Sequence, residues 1–517
     1  MKKLLFFCVF FQITISLFSQ DWIRYFGYGQ QPYSSYCIQQ YDKGYLILGD
    51  INSYLYGWMV KTDVNGNELW DIKIGDGIHS TMPSNIEQTS DNGFILCGST
   101  TLYNSPQTDP FIMKLNSCGQ LEWCKGLVYD NVSDMGMRVK QTMDGGYILC
   151  AILYGDVPNN IVHLFKFDSS GELFWHKIYN GDSLVDSELI RDLYVDQQYF
   201  LLTGECYYPN WLKPYYIQTD TSGNETWSLA YSQHTGLGFV GDAWATVRDI
   251  HGNYYSAGRR ENSPELIKLS ALGQEVMNVD LFPNAANGAS RIIILLNDTI
   301  CIIDGGWSIN GSTNYYGLLK IDTLGNIKKI KYLPDPDHSG SSWSTKTFDN
   351  KILLIGNSYI SGSSRMTLYK VNSDLEYDSI YYRHFTYDSL CPHQIVSDTI
   401  NPNCGVLVGV DEPLKNPETG ALKVFPNPAK QEITVELPKY IVVKSGQTGF
   451  GLTTVYHHWK STTLEVYDLS GKKIFDKEIV RAESTLEINV SGWQPGLYYF
   501  RLVYNKQTVA GAKVVVE

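Results

Sequence analysis

Ten residues written KTDVNGNELW (61–70) return as KLNSCGQLEW (114–123), KFDSSGELFW (166–175) and QTDTSGNETW (218–227). Aligned on the leading residue, the series Lys61, Lys114, Lys166, Gln218, Lys268, Lys320 and Lys370 advances by 50 to 53 residues at each step. Upstream runs a second pattern: DKGYLILG from Asp42, DNGFILCG from Asp91, DGGYILCA from Asp144, HGNYYSAG from His251 and DNKILLIG from Asp349. A period near fifty with several short apolar runs per unit is the mark of a solenoid or a propeller.

Each unit reads as four strands. A polar turn such as Asp91-Asn92-Gly93 joins the first to an apolar second strand. A variable loop follows, the third strand carries the lysine, and Asp-x-x-Gly turns into a fourth strand that opens at the tryptophan. Gly66, Gly119, Gly171 and Gly223 supply positive φ, while Asp63 and Asp168 bond their own turn backbone. The tryptophan, large and flat, suits packing between adjacent sheets. The fold class is therefore all-β: a β-propeller of seven blades followed by a small β-sandwich. Eight blades is the alternative, because both DWIRYFG from Asp21 and Tyr377–Phe385 offer a fourth strand to the last unit.

Composition agrees. Tyrosine (37) and glycine (45) abound and helical periodicity is nearly absent, which favours strands and tight turns. Residues 1–20 read as a secretory signal, with Lys2 and Lys3 before an apolar run too short to span a bilayer. No other stretch is long enough, so no membrane span is expected. The formal charge of −13 becomes −15 once those two lysines are removed, which argues against a nucleic-acid partner. Nine cysteines remain after Cys8. Cys391 and Cys404, bracketing a short loop, are the expected disulfide, with Cys118–Cys124 as a second choice; Cys97 and Cys150 read as buried thiols. The chain divides into a signal (1–20), the propeller (21–385), a linker (386–419) and a C-terminal domain (420–517).

That last domain carries LKVFPNPAKQEITVEL, LEVYDLSGKKIFDKEI and LEINVSGWQPGLYYFRL. It resembles the type A sorting domain of the type IX secretion system at Pro426-Asn427-Pro428, Asp468 with Gly471, Gly496 with Tyr498, and Lys513. The resemblance implies the secretion machinery as partner, export across the outer membrane, and a secreted or surface-attached product. An insert, Tyr440 to Lys460, interrupts it and reads as a long loop or extra hairpin. The repeats resemble secreted propeller proteins of the Bacteroidetes, and their turn resembles those of quinoprotein propellers and sialidase Asp-boxes, the latter with a shorter spacing. Asp-Ser/Thr-apolar triplets at Asp182, Asp298, Asp322, Asp378, Asp388 and Asp398 resemble an O-glycosylation motif.

Chemistry is less legible. No HExxH, P-loop or GxSxG occurs, so no catalytic residue, metal or cofactor is assigned. His163 and His176 read as packing or surface residues. Asp134, Asp186, Asp242 and His79 precede first strands, where a central channel opens. Two aromatic loops, 206–216 and 305–317, place Trp211, Tyr215, Trp307 and Tyr315 as candidates for stacking on a glycan or protein. Three readings follow: a binding module for glycan or protein, a carbohydrate- or peptide-active hydrolase, or a structural surface component.

Overall fold

The computed structural model describes residues 22–517 except 104–105, 129–132, 155–159, 180–187, 208–211, 231–240, 262, 283–287, 309–313, 334–339, 403, 409–421, 437–440, 445–453, 458–461, 469–471, 480–484 and 505–506. The signal segment, Trp211, Asp186, the Asp182 triplet and Gly471 lie outside the described residues. All regular structure among the described residues is strand.

Seven sheets succeed one another between 22 and 408. Sheet 1 takes Tyr33–Gln39, Tyr45–Ile51, Tyr56–Thr62 and Glu68–Ile74 as an antiparallel meander. Sheets 2 to 6 repeat this plan, opening at Thr81, Met135, Glu188, Gly241 and Ala289. Sheet 7 has only three such strands, Gly340–Lys346, Ile352–Ile360 and Ser363–Val371. Its fourth is Ile23–Phe26, with Ile23 opposite Tyr369 and Phe26 opposite Met366. The competing segment, 377–385, contains no strand. Each first strand packs on the neighbouring sheet, and the first strand of sheet 1 packs on sheet 7.

The repeated ten residues now have a physical meaning. Each turn glycine does hold positive φ, 76° at Gly66 and 83° at Gly171. A Cβ on Gly171 would lie 2.6 Å from the ring of Trp123, and one on Gly223 would lie 2.7 Å from Trp175. Thus the tryptophan of one sheet rests on the turn of the next, where only glycine leaves room.

The lysine answers the second pattern. Lys61 is fully buried and meets Asp42 at 2.7 Å; Lys114 meets Asp91 at 2.8 Å and Lys166 meets Asp144 at 2.9 Å. The same aspartates accept the amides of Gly44, Gly93 and Gly146 at 2.9–3.0 Å. A Cβ on Gly93 would sit 2.5 Å from the Lys114 ammonium, so Asp-x-Gly is the sequence that admits the lysine. In sheets 1 to 3 the pair ties the first hairpin to the third strand.

After sheet 7 the chain doubles back as a strap. Asp398–Ile400 adds a parallel fifth strand to sheet 1, and Gly405–Val408 adds one to sheet 2 beside Leu121–Val128. Tyr381 accepts and donates with Asn65, the Tyr387 hydroxyl accepts from the Val64 amide, and Trp70 donates to Asp388. Two disulfides rivet it, Cys118–Cys391 and Cys124–Cys404. This corrects the expected Cys391–Cys404 bond. The strap runs along sheet 2, so each of its cysteines faces one from the Cys118–Cys124 hairpin instead of the other. Cys37, Cys97, Cys150, Cys206 and Cys301 are buried free thiols.

In the C-terminal region a three-stranded sheet (Lys423–Phe425, Glu432–Glu436, Thr485–Asn489) and a four-stranded sheet (Thr462–Tyr467, Lys473–Ile479, Gly496–Tyr504, Gln507–Val516) share one apolar core. Asn427 fastens the two ends together: its amide donates to Lys513 carbonyl at 3.0 Å and accepts from Val515 at 2.9 Å. The Asp468 carboxylate accepts the Lys472 amide, and the Tyr498 hydroxyl donates to Gln494 carbonyl. The insert forms a hairpin of Ile441–Lys444 with Thr454–His457.

Candidate functional site

The first strands of all seven sheets break register at the same place: Ser34/Tyr36, Pro83/Asn85, Gly136/Arg138, Ile190/Asp192, Ala243/Ala245, Ser290/Ile292 and Ser341/Trp343. A bulge repeated at one level re-aims side chains and is a device found beside sites. Just past it, side chains bond the backbone of the neighbouring sheet. Asn85 accepts the Val139 amide at 2.8 Å and Asp192 accepts that of Thr246 at 3.0 Å; in sheet 7 it is Asn357, on the second strand, that accepts the Ser34 amide at 2.8 Å. Tyr36 stacks on Trp343 with centroids 4.2 Å apart, and the Arg138 guanidinium sits 4.9 Å from the Trp343 ring.

These strands line a half-open cavity of about 620 Å³, formed by residues of sheets 2 to 7. Its volume falls in the range of ordinary ligand pockets. The walls differ. Sheets 5 and 6 give Ala245, Val247, Ile292 and Ile293; sheets 2 and 3 give Gln88, Gln141 and an ion pair between Glu87 and Lys140. Asp192 is held by two backbone amides, its own neighbour Leu193 included, and Asp196 is paired with Arg248 at 3.1 Å. Ser344, 3% exposed, and Gln88 are among the lining residues; the Ser344 hydroxyl and the Gln88 amide nitrogen are themselves buried and have no partner among the described residues.

On the other side of the bulge the residues are charged in sheets 4 to 6. Arg191 bonds Glu205 at 2.9 Å, and Arg259 bonds Asp242 at 2.8 Å. The guanidinium of Arg191 lies 4.1 Å and that of Arg291 lies 5.0 Å from the Trp244 ring. Burial pushes the Asp242 carboxyl up to about 6, against the pull of Arg259. Burial raises Glu265 to about 8. Elsewhere burial lifts Asp50 to about 7 and Asp109 to about 6.

The residues expected from sequence scatter. Trp307 is fully buried, 5.4 Å from Phe282, and Tyr215 is 2% exposed, so neither offers a stacking face. The reason is strand length: Leu212–Asp220 and Ile300–Ser308 run nine residues and carry these rings inside the sheets. Tyr315 stands opposite Trp307 in register. Asp134 is buried; His79 pairs with Asp76 at 2.6 Å, and buried His163 meets His176 at 2.8 Å, with burial first and His176 second lowering its pKa well below the ordinary value. Among the described residues no group of three or more His, Cys, Asp or Glu is placed to hold a metal. The cavity residues were missed because first strands share a backbone plan but not a side-chain motif; the one signal was their polar content between apolar neighbours.

Residues 423–517 match the secretion system C-terminal sorting domain. This is the class of protein the chain's end defines: one exported by the type IX route to the cell surface or extracellular space. No curated protein matches. Among solved structures, an ulvan lyase of polysaccharide lyase family PL25 is similar at 10% identity, covering 68% of this chain and 96% of its own with a TM-score of 0.48. The polysaccharide lyase Uly1 is similar at 10%, covering 68% and 92% with a TM-score of 0.44. A protein of unknown function from Bacteroides caccae is similar at 11%, covering 46% and 77% with a TM-score of 0.29. No helix among the described residues is long and apolar enough to cross a membrane.

Proposed function

We propose that residues 21–385 are a seven-bladed β-propeller, followed by a linker (386–419) and the sorting domain (420–517). On this reading the exported protein is a binding module for a glycan or protein. The half-open cavity lined by first strands of sheets 2 to 7 carries this reading. Support for the ring comes from the packing of sheet 7 on sheet 1 and from the strand Ile23–Phe26 that completes sheet 7. A propeller brings the first strand of every blade to its axis, where a pocket shared by many blades belongs.

A second reading, a carbohydrate- or peptide-active hydrolase, draws on Asp242 and Glu265, two acids whose pKa is raised chiefly by burial. The test uses the full mature chain with a panel of polysaccharides and peptides, scoring retention and product in the same tubes. Retention without product is the expected result. Product formation would overturn the binding reading and send attention to Asp242 and Glu265.

A further inference from the structure

We infer that the rim of sheet 7 around Arg365 binds a saccharide bearing a carboxylate or a sulfate, at a place apart from the cavity; this rests on the binding-module reading above. Arg365 lies near the start of Ser363–Val371, opposite Ser358. The first strand of the sheet opens at Gly340, opposite Asn357, so Arg365 stands just beyond its end. The cavity residue Ser344 pairs with Leu354, well inside the sheet.

The first observation is a cation without a counter-charge. Arg191, Arg248 and Arg259 each pair with an acid. Arg365, in a chain of formal charge −13, meets no carboxylate among the described residues. Its guanidinium lies 4.7 Å from the centre of the Tyr28 ring and 5.9 Å from that of Tyr25. Its Nε is shielded, but its two terminal nitrogens reach solvent and bond to nothing among the described residues. A guanidinium with that fork open grips two oxygens of a carboxylate or sulfate in parallel.

The second observation is the frame that holds the rings. Tyr28, 71% exposed, sits in a turn closed by the Gln30 amide on the Gly27 carbonyl at 3.0 Å, with Gly29 at a φ of 75°. A Cβ on Gly27 would lie 2.7 Å from Pro32, and the Asn52 amide donates to the Gln30 carbonyl at 2.7 Å. The turn is thereby pinned to sheet 1, and Tyr28 stands out between Arg365 and solvent. The third observation selects a sugar over a peptide. The exposed aromatic and aliphatic side chains of 22–33 and 352–366 are all tyrosines, Tyr25, Tyr28, Tyr33 and Tyr359. A tyrosine gives a flat face to the C–H side of a sugar ring and a hydroxyl to its edge. An aliphatic socket for a peptide side chain is not among these exposed groups.

The experiment is calorimetric titration of the mature chain with trigalacturonate and with a κ-carrageenan tetrasaccharide, which separate carboxylate from sulfate. The methyl ester of trigalacturonate and the peptide Gly-Glu-Gly serve as contrasts. At least one anionic sugar is expected to bind, more weakly as salt is raised. Affinity should be at least tenfold weaker for the methyl ester, and for the anionic sugar in Arg365→Gln and in Tyr28→Ala. Arg365→Lys, which keeps the charge and loses the fork, should fall between. Lys43→Gln removes an exposed cation beside Phe348, on a turn of sheet 1, and should change nothing. Circular dichroism checks that each variant folds, and saturation-transfer NMR on the unaltered protein reports the bound sugar without any mutation. Binding that Arg365→Gln and Tyr28→Ala both leave unchanged overturns the site. Equal affinity for trigalacturonate and its methyl ester, or binding of the peptide alone, overturns the ligand class. If neither anionic sugar binds while the polysaccharide and peptide panel shows retention, only the inference here falls; if both are empty, both readings fall.

Discussion

Trp22 rests on Gly66: a Cβ on that glycine would lie 2.9 Å from the indole Cη2. This is the contact Trp123 makes with Gly171, and Trp175 with Gly223, one sheet apart along the chain. Trp22, which precedes Ile23–Phe26, thus supplies to sheet 7 the tryptophan that its own repeat lacks, and sets it on sheet 1.

Gly223→Ala tests the wedge. Its φ of 77° already disfavours a side chain, and the new methyl would strike Trp175. A loss of about 1–3 kcal/mol is expected from strain and overpacking together. Gly145→Ala has positive φ but no neighbour within reach, so it should cost less. Denaturant melts of the two variants separate the steric part from the backbone part. Equal losses would sink the wedge.

Lys61→Met leaves Asp42 buried and unpaired, for an expected loss of about 3–5 kcal/mol. Adding Asp42→Asn should recover a good part of it, because the stranded charge goes. A double-mutant cycle in urea measures the coupling. Additive losses would mean that the pair does not act as a unit.

Two pH windows follow from the carboxylates. Asp50 and Glu265 are raised by burial to about 7 and about 8, so between pH 4 and 8 the folded state holds protons that the unfolded state has lost. Stability from these groups is complete below the unfolded pKa and falls as pH rises through the folded one. Asp91 and Asp144 are lowered: although burial alone would raise them, bonds from Lys114 and Thr89 to Asp91, and from Thr142 and Lys166 to Asp144, prevail, so their contribution is present above pH 4 and lost as pH falls further. Thermal melts should therefore decline on both sides of about pH 4–5 for these terms. Asp50→Asn and Glu265→Gln should each flatten the alkaline branch by on the order of 1–3 kcal/mol. An unchanged slope would mean that neither acid titrates there.

Peptide mapping without reduction should link Cys118 to Cys391 and Cys124 to Cys404. Cys391→Ser with Cys404→Ser should lower stability by about 2–5 kcal/mol and open the strap to protease near 386–404. A fragment joining Cys391 to Cys404 would refute this arrangement.

Deletion of 423–517 removes the sorting domain and should hold the rest of the chain inside the cell, as fractionation would reveal. The milder Asn427→Ala cuts both bonds between the Pro-Asn-Pro turn and the last strand. It should reduce export in proportion to the loss of domain stability, about 1–2 kcal/mol. Normal export of the truncated chain would disprove the sorting role.

What was legible in the sequence was what each repeat needs for itself. Lys61, Gly66 and Trp70 recur in sheets 2 and 3 because those sheets use the same buried cation, left-handed turn and wedge. The Lys–Asp pairing went unread although both halves were in view, since nineteen residues and two strands separate Asp42 from Lys61. Non-local features were hidden for the same reason at larger scale: Cys391 meets Cys118 across 273 residues. Two of the aromatic candidates, Trp307 and Tyr215, are buried because the extent of pairing is set by the partner strand, and longer strands drew them inward. The cavity lay on first strands, where seven sheets share a bulge and each fills it differently.

The strand Ile23–Phe26 has a consequence in time. It is the first strand after the proposed signal to be synthesised, yet its pairing partner, Ser363–Val371, comes some 340 residues later. At about 5–20 residues per second, ribosomes need at least about 17 s to bridge that gap. Throughout that interval the earliest strand of the protein is an unmatched edge, and so is the face of sheet 1 that Trp22 will cover. Sheet 7 is complete only when its earliest and its latest strands have met.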